Sequence, residues 1–168
     1  LIKDSILGTV LIDSSLQQKI RVLAQGSTKI SSIEVKTNVK LQEQNLTDSG
    51  FEKVLVQGAQ IELLGDFSEV KIEERAQIDL LQGAIQELLL APATQGTTIN
   101  LAPQTTVDTF ITYSAATVTG DGVIQTADIK ANGVALAKDP ISIIIAEGVT
   151  ASIAGKETTG DEPASPPD

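Results

Sequence analysis

Apolar and charged positions alternate along much of the chain, and the alternation keeps restarting. Ile33-Glu34-Val35-Lys36 and Val39-Lys40-Leu41 send one side toward a core and the other toward water, which is the period-two signature of a strand. Ile20-Arg21-Val22 reads the same way. The segment Leu16 to Leu23 (LQQKIRVL) opens with a spacing that also suits a short helix capping a first coil. Gln42 to Gly50 is polar and reads as a loop, and Ala91 to Thr98 as a second loop.

The restarts come at a nearly fixed step. Ile111 and Ile129, Ala116 and Val134, and Val118 and Leu136 are each 18 residues apart. Upstream, Phe51 and Phe67, and Val56 and Ile72, are 16 apart, while Ile61 and Ile78, and Leu63 and Leu80, are 17 apart. Short strands recurring at such a step, with turn residues between them, mark a solenoid. A step that drifts by a residue or two suits a right-handed parallel β-helix, whose corners swell without disturbing the stack. A strict hexad favours a left-handed β-helix, and Ile111, Thr117, Val123, Ile129, Ala135 and Ile141 do fall six apart. That register does not extend back through Val56, Ile72 and Leu80, so the left-handed form stands as the alternative. The pattern therefore predicts an all-β, right-handed parallel β-helix of roughly six to seven short coils over residues 1–155. Residues 156–168, with three Pro in the last six positions, read as a Pro-rich acidic linker or tail.

Amphipathic helices are the competing reading for Glu62 to Glu87, and Gln86 to Leu90 looks helical in isolation. Gly58, Gly65 and Gly83 recur about once per run, however. A Gly inside a helix costs about 1 kcal/mol relative to Ala, whereas coil corners favour it.

Composition narrows the picture. Ile, Leu, Val and Ala supply the apolar content, with three Phe, one Tyr, and no Trp or Met. A narrow core of thin stacked layers needs branched aliphatics more than rings. The net charge of −10 opposes nucleic acid, which requires clustered Lys and Arg, and opposes an anionic membrane surface. No apolar run approaches the roughly 20 residues of a membrane helix, so no membrane insertion is expected. The chain has no Cys and no His, which removes thiol chemistry and the commonest general base. It begins at Leu1 and reads as a piece of something longer.

No catalytic, cofactor-binding or metal-ligating residue is assigned, and no cofactor is called for. Glu73 and Glu74 are adjacent and point to opposite sides of a strand. Asp66 and Glu69 are spaced to approach one another, but acidic pairs are expected on so acidic a surface. Only two Arg, Arg21 and Arg75, are present to stabilise a developing anion. Asp121-Gly122 reads as a turn and lacks the repeated Ca²⁺-binding nonapeptide. Phe51 and Phe67 read as a core ladder. Thr105, Thr106, Thr109, Thr112, Thr117 and Thr119 offer a flat hydroxyl-bearing face.

One resemblance adds a setting. Ala116 to Gly122, Ile124, Ile129, Ala131, Gly133 and Val134, then Pro140, Glu147 to Ala151, Ile153 and Gly155-Lys156 resemble a repeat region of Gram-positive cell-surface proteins of the type that carries S-layer homology domains. The likeness covers about the last third of the chain. It implies a parallel β-helix in a secreted, wall-associated protein, and no particular catalytic residue. The expected function is a non-catalytic structural or adhesive module, a spacer or display rod, located extracellularly at the cell surface. A polysaccharide-binding or polysaccharide-processing β-helix is the alternative. The partners to expect are cell-wall or extracellular polysaccharide, or other surface proteins. A far-ultraviolet circular dichroism spectrum should show β-structure with almost no helix; a helix-dominated spectrum would refute the solenoid.

Overall fold

Each time the chain completes a circuit it must return beside its own previous strand, and inward-facing aliphatic side chains make that return favourable. The computed structural model describes residues 1–13 and 18–161. Asp13-Ser14-Ser15, whose residue types suit a turn, and the start of the Leu16 to Leu23 segment fall largely outside them, as do residues 162–168. The strands are β1 (Ile2–Lys3), β2 (Ile6–Ile12), β3 (Ile20–Gly26), β4 (Lys29–Val35), β5 (Val39–Leu46), β6 (Gly50–Phe51), β7 (Lys53–Gln57), β8 (Gln60–Glu74), β9 (Gln77–Leu90), β10 (Thr97–Leu101), β11 (Thr106–Thr112), β12 (Ala116–Gly120), β13 (Val123–Ile129), β14 (Val134–Leu136), β15 (Ser142–Ile145), β16 (Thr150–Ile153) and β17 (Lys156–Thr159). Together they form an all-β solenoid of about eight turns, with strands that are mostly parallel.

Two series of strands run up the rod. The first face stacks β1, β3, β5, the first half of β8, the first half of β9, β10, β12, β14 and β16. The second stacks β2, β4, β7, the second half of β8, the second half of β9, β11, β13 and β15. The long strands β8 and β9 each turn a corner and serve both faces. On the second face the inward positions read apolar-x-x-apolar-x-apolar, as in Phe67, Val70, Ile72 and in Ile85, Leu88, Leu90. The extra spacer, Ser68 opposite Gln86, interrupts the pairing, which resumes in the same register at Glu69 and Glu87.

Stacking turns these positions into ladders. On the first face Ile20, Val39, Ile61, Ile78, Ile99, Val118, Leu136 and Ile153 form one unbroken column. On the second face the stacking of Val10, Ile33, Val54, Val70, Leu88, Phe110, Ala127 and Ile143 is equally continuous. Phe51 and Phe67 are buried and their rings stack with centroids 6.0 Å apart, so they belong to the core.

Several expectations require correction. The solenoid has about eight turns, one or two more than anticipated, because polar segments also contribute strands. Gln42 to Leu46 lies within β5, and Gln86 to Leu90 within β9. Val118 does pair with Leu136, but Ile111 pairs with Asp128, and the partner of Ile129 is Thr112. Thr112 takes the inward position because the spacer at Asp108 resets the alternation. Its buried hydroxyl donates to the Ser114 carbonyl at 2.6 Å. The six-residue register does not describe the core, since Thr117, Val123 and Ile141 are exposed. The step ranges from 16 residues, Val56 to Ile72, to 23, Ile12 to Val35. Finally, Lys156–Thr159, assigned to the tail by composition, is β17, which pairs antiparallel with β16. Ala154 and Gly155 form its two-residue turn with φ of 47° and 78°, the geometry that matches a tight hairpin to the strand twist.

An Ile78→Ala substitution in the middle of the first ladder should cost about 2–5 kcal/mol of unfolding free energy. The same change at exposed Ile144 should stay within about 0.5 kcal/mol. Urea titration monitored by circular dichroism checks both.

Candidate functional site

The ladder pattern does not fill every inward position with a hydrocarbon. In β5, Val39 and Leu41 point inward, and the next residue in that alternation is Glu43, which pairs with Ala24 one turn below. Its carboxylate is held at the corner where the first face ends. One oxygen accepts from the Phe51 N–H at 2.8 Å and the other from the Asp66 N–H at 2.9 Å. Asp66 repeats the arrangement one turn on, accepting from the Ala84 N–H at 3.0 Å. Asp4 does so near the start, accepting from the Ser27 N–H at 2.9 Å. Corner amides, which the sheet leaves without partners, are thus satisfied by carboxylates from a neighbouring turn. Gly83, with φ of 91°, allows this close approach, because a Cβ there would collide with the Gly65 carbonyl.

Glu43 and Asp66 floor an open groove of about 680 Å³, flanked by Gln44, Asn45, Ser68, Gln82 and Gln86. The groove continues onto Lys53, Glu69 and Glu87, where Lys53 pairs with Glu69 at 2.8 Å. Burial pushes the Glu43 carboxyl up to about 7, reinforced by the nearby negative Asp66 and opposed by its two N–H donors. Asp66 and Glu69 bind different partners, Ala84 and Lys53. Glu73 is paired with Lys71 at 2.9 Å and held below the usual carboxylate range by the Gln57 amide and Lys71. Arg21 donates to the Gln42 amide oxygen at 2.8 Å. No group of three or more acidic side chains is placed to hold a metal ion among the described residues.

The outer surface changes character along the rod. One outward column of the first face reads Arg21, Lys40, Glu62, Asp79 and then Asn100, Thr119. Its neighbour runs from Gln77 through Thr98, Thr117 and Ala135 to Ser152. The early turns carry charge, including the Lys19–Glu62 pair, whereas on this face the later turns carry neutral hydroxyl, amide and methyl groups until Glu157 of β17, which stands beside Ser152. Thr117 and Thr119 of the expected hydroxyl-bearing face lie on this surface. Thr105 and Thr112 are buried, and Thr106 and Thr109 belong to the second face. Tyr113 is exposed at a corner with the Lys130 ammonium 5.4 Å from its ring centre.

Beside this neutral face lies a smaller cavity of about 80 Å³ between β10, β12 and β14. Asp121 and Lys138 pair across its mouth at 2.7 Å. Neither Glu43 nor this cavity was singled out by sequence reading. The signal for both is the same: a charged residue standing two places after a pair of inward aliphatics, Val39-x-Leu41-x-Glu43 and Val134-x-Leu136-x-Lys138.

No family model matches the chain, and no curated protein is significantly similar to it. Among solved structures it is similar to part of chitinase ChiW from Paenibacillus sp. str. FPU-7, a bacterial cell-surface-expressed multi-modular enzyme machinery. The likeness has a TM-score of 0.79 and 28% identity over 90% of this chain, and spans 14% of the chitinase.

The raised Glu43 carboxyl sets a pH dependence. The folded state keeps a proton up to about pH 7 that the unfolded chain releases near its ordinary value of 4.5. This contribution to stability is therefore complete below about pH 4.5 and lost as pH rises through about 7. Thermal melts across that interval should show a falling midpoint, and Glu43→Gln should flatten the fall relative to the parent chain. Equal slopes in the two proteins would exclude Glu43 as the source.

Proposed function

We propose that the chain is a non-catalytic adhesive module of an extracellular bacterial cell-surface protein, and that it lies along polysaccharide through the neutral part of its first face. A parent of the S-layer-homology-bearing type belongs to the same proposal. The observation that carries the reading is the likeness, over 90% of this chain, to part of a cell-surface chitinase. The surface chemistry favours it as well. Hydroxyl and amide groups at Thr98, Asn100, Thr117, Thr119 and Ser152 repeat at the strand spacing of about 4.8 Å and offer hydrogen bonds to sugar hydroxyls without strongly hydrated charge. A rigid rod gives these weak contacts a fixed spacing, so that several engage together.

The absence of catalysis in this proposal rests on how the unusual acid is used. A general acid must direct its proton at the bond being broken. Both oxygens of Glu43 instead face main-chain N–H groups, and this is the arrangement of a structural tie.

Depletion of the purified chain from solution by insoluble chitin, cellulose and Gram-positive wall preparations tests the proposal. Retention on at least one polymer is expected, and charge placed on the neutral face by Thr98→Glu with Thr117→Glu should weaken it about tenfold. No retention on any polymer, or release of new reducing ends from one, would sink the reading.

A further inference from the structure

The small cavity has a specific origin in the ladder pattern. Alongside the first column runs a second, in which Val22, Leu41, Leu63, Leu80 and Leu101 stack in register. The next position in that column is Gly120. One turn further, two residues after Leu136, the chain places Lys138, whose side chain is 53% exposed. The leucine column therefore stops for two successive turns, and the gap opens beside Leu101 and Leu136 where it stops. Gly120 is constrained to remain Gly, since φ is 95° and a Cβ would strike the Leu101 carbonyl. The consequence shows in the walls. Leu41, Leu63 and Leu80 are fully buried, whereas Val118 and Ile124 retain 5% and 7% exposure.

The gap is apolar inside and ionic at its mouth. Leu101, Val118, Ile124 and Leu136 line it, and Asp121, Lys138 and Ala137 stand at the rim. The Lys138 ammonium also donates to the Asp121 carbonyl at 3.3 Å. Its volume of about 80 Å³ exceeds what one water needs, yet its apolar walls offer a water few partners. An alkyl chain would satisfy the walls and leave the ion pair without partners. A sugar hydroxyl would do the reverse. An acetyl group satisfies both, with its methyl against the walls and its carbonyl accepting from Lys138. An acetamide adds an N–H that Asp121 accepts. The gap also lies beside the neutral face, since Thr119 lines both.

We propose that the gap left by the interrupted leucine column is a subsite for an acetyl group carried by a sugar, with the Asp121–Lys138 pair as its polar rim. The inference rests on the polysaccharide reading above and gives that surface a chemical preference. Hydroxyl and amide contacts hold the polymer along the face, and the acetyl subsite fixes its register.

Two ligand pairs distinguish the sources of the acetyl group. One is N-acetylated chitotriose against its deacetylated form, and the other is O-acetylated xylotriose against xylotriose. Calorimetry gives the affinities, and saturation-transfer NMR locates the contact. The expected result is about tenfold weaker binding on removal of the acetyl groups, with the strongest saturation on the acetyl methyl. N-acetyl should bind more tightly than O-acetyl. Ala137→Phe, at an exposed rim position, should block the gap and abolish the acetyl preference. Lys138→Gln should reduce it, and does so without added bulk if the first variant fails to fold. Equal binding of acetylated and deacetylated sugars, or an acetyl preference that survives both variants, would overturn the subsite while retention on polymer leaves the module reading intact. Failure of every sugar and every insoluble polymer to bind would overturn both.

Discussion

The structure depends on one requirement: successive turns must bring chemically similar side chains to the same place, one strand spacing further along the rod. Parallel main-chain pairing supplies the spacing, and the aliphatic columns supply the free energy. A fully buried branched side chain contributes about 1.5–3 kcal/mol relative to an exposed one, and a column delivers this at every layer. The corners are free to vary provided the columns remain aligned, which is why the step changes between 16 and 23 residues while the register of Val56 with Ile72 and of Ile12 with Val35 is kept.

Much of this was legible in the chain. The period-two runs, the recurring step and the corner glycines define a solenoid, and the pairs Val56–Ile72, Ile61–Ile78, Leu63–Leu80 and Val118–Leu136 are in the observed register. What could not be read by hydrophobicity were the positions where a polar residue faces inward. Thr112 displaced Ile111 from the core column because its hydroxyl finds a main-chain partner there. Gln42 to Leu46 looked like a loop because its inward residue is an acid.

Those inward polar positions are where the rod stops being uniform. A carboxylate at a corner substitutes for a strand partner, tying Glu43 to the next turn through two amides. A glycine in a leucine column opens the wall instead of closing it. Both are departures from the repeat, and both lie where the chain changes face. The acidic corner groove belongs to the charged early turns, and the apolar gap to the neutral later ones. A repetitive scaffold thus acquires distinct local chemistry through single-residue interruptions that leave the neighbouring columns intact.

The hairpin of β16 and β17 has a consequence beyond covering one face. A parallel stack is a template, because every completed layer presents the next with the hydrogen-bonding pattern it needs. Reversing direction at Ala154 and Gly155 replaces that pattern with an antiparallel edge. Its residues, Lys156–Thr159, are exposed, with a charge at each of the first two positions. At β17 the parallel pattern on that face is therefore interrupted by a change of polarity in the backbone itself. The exposed Lys156 and Glu157 on this edge strand are the kind of charge that discourages extension by a foreign strand, a hazard that accompanies any long flat sheet.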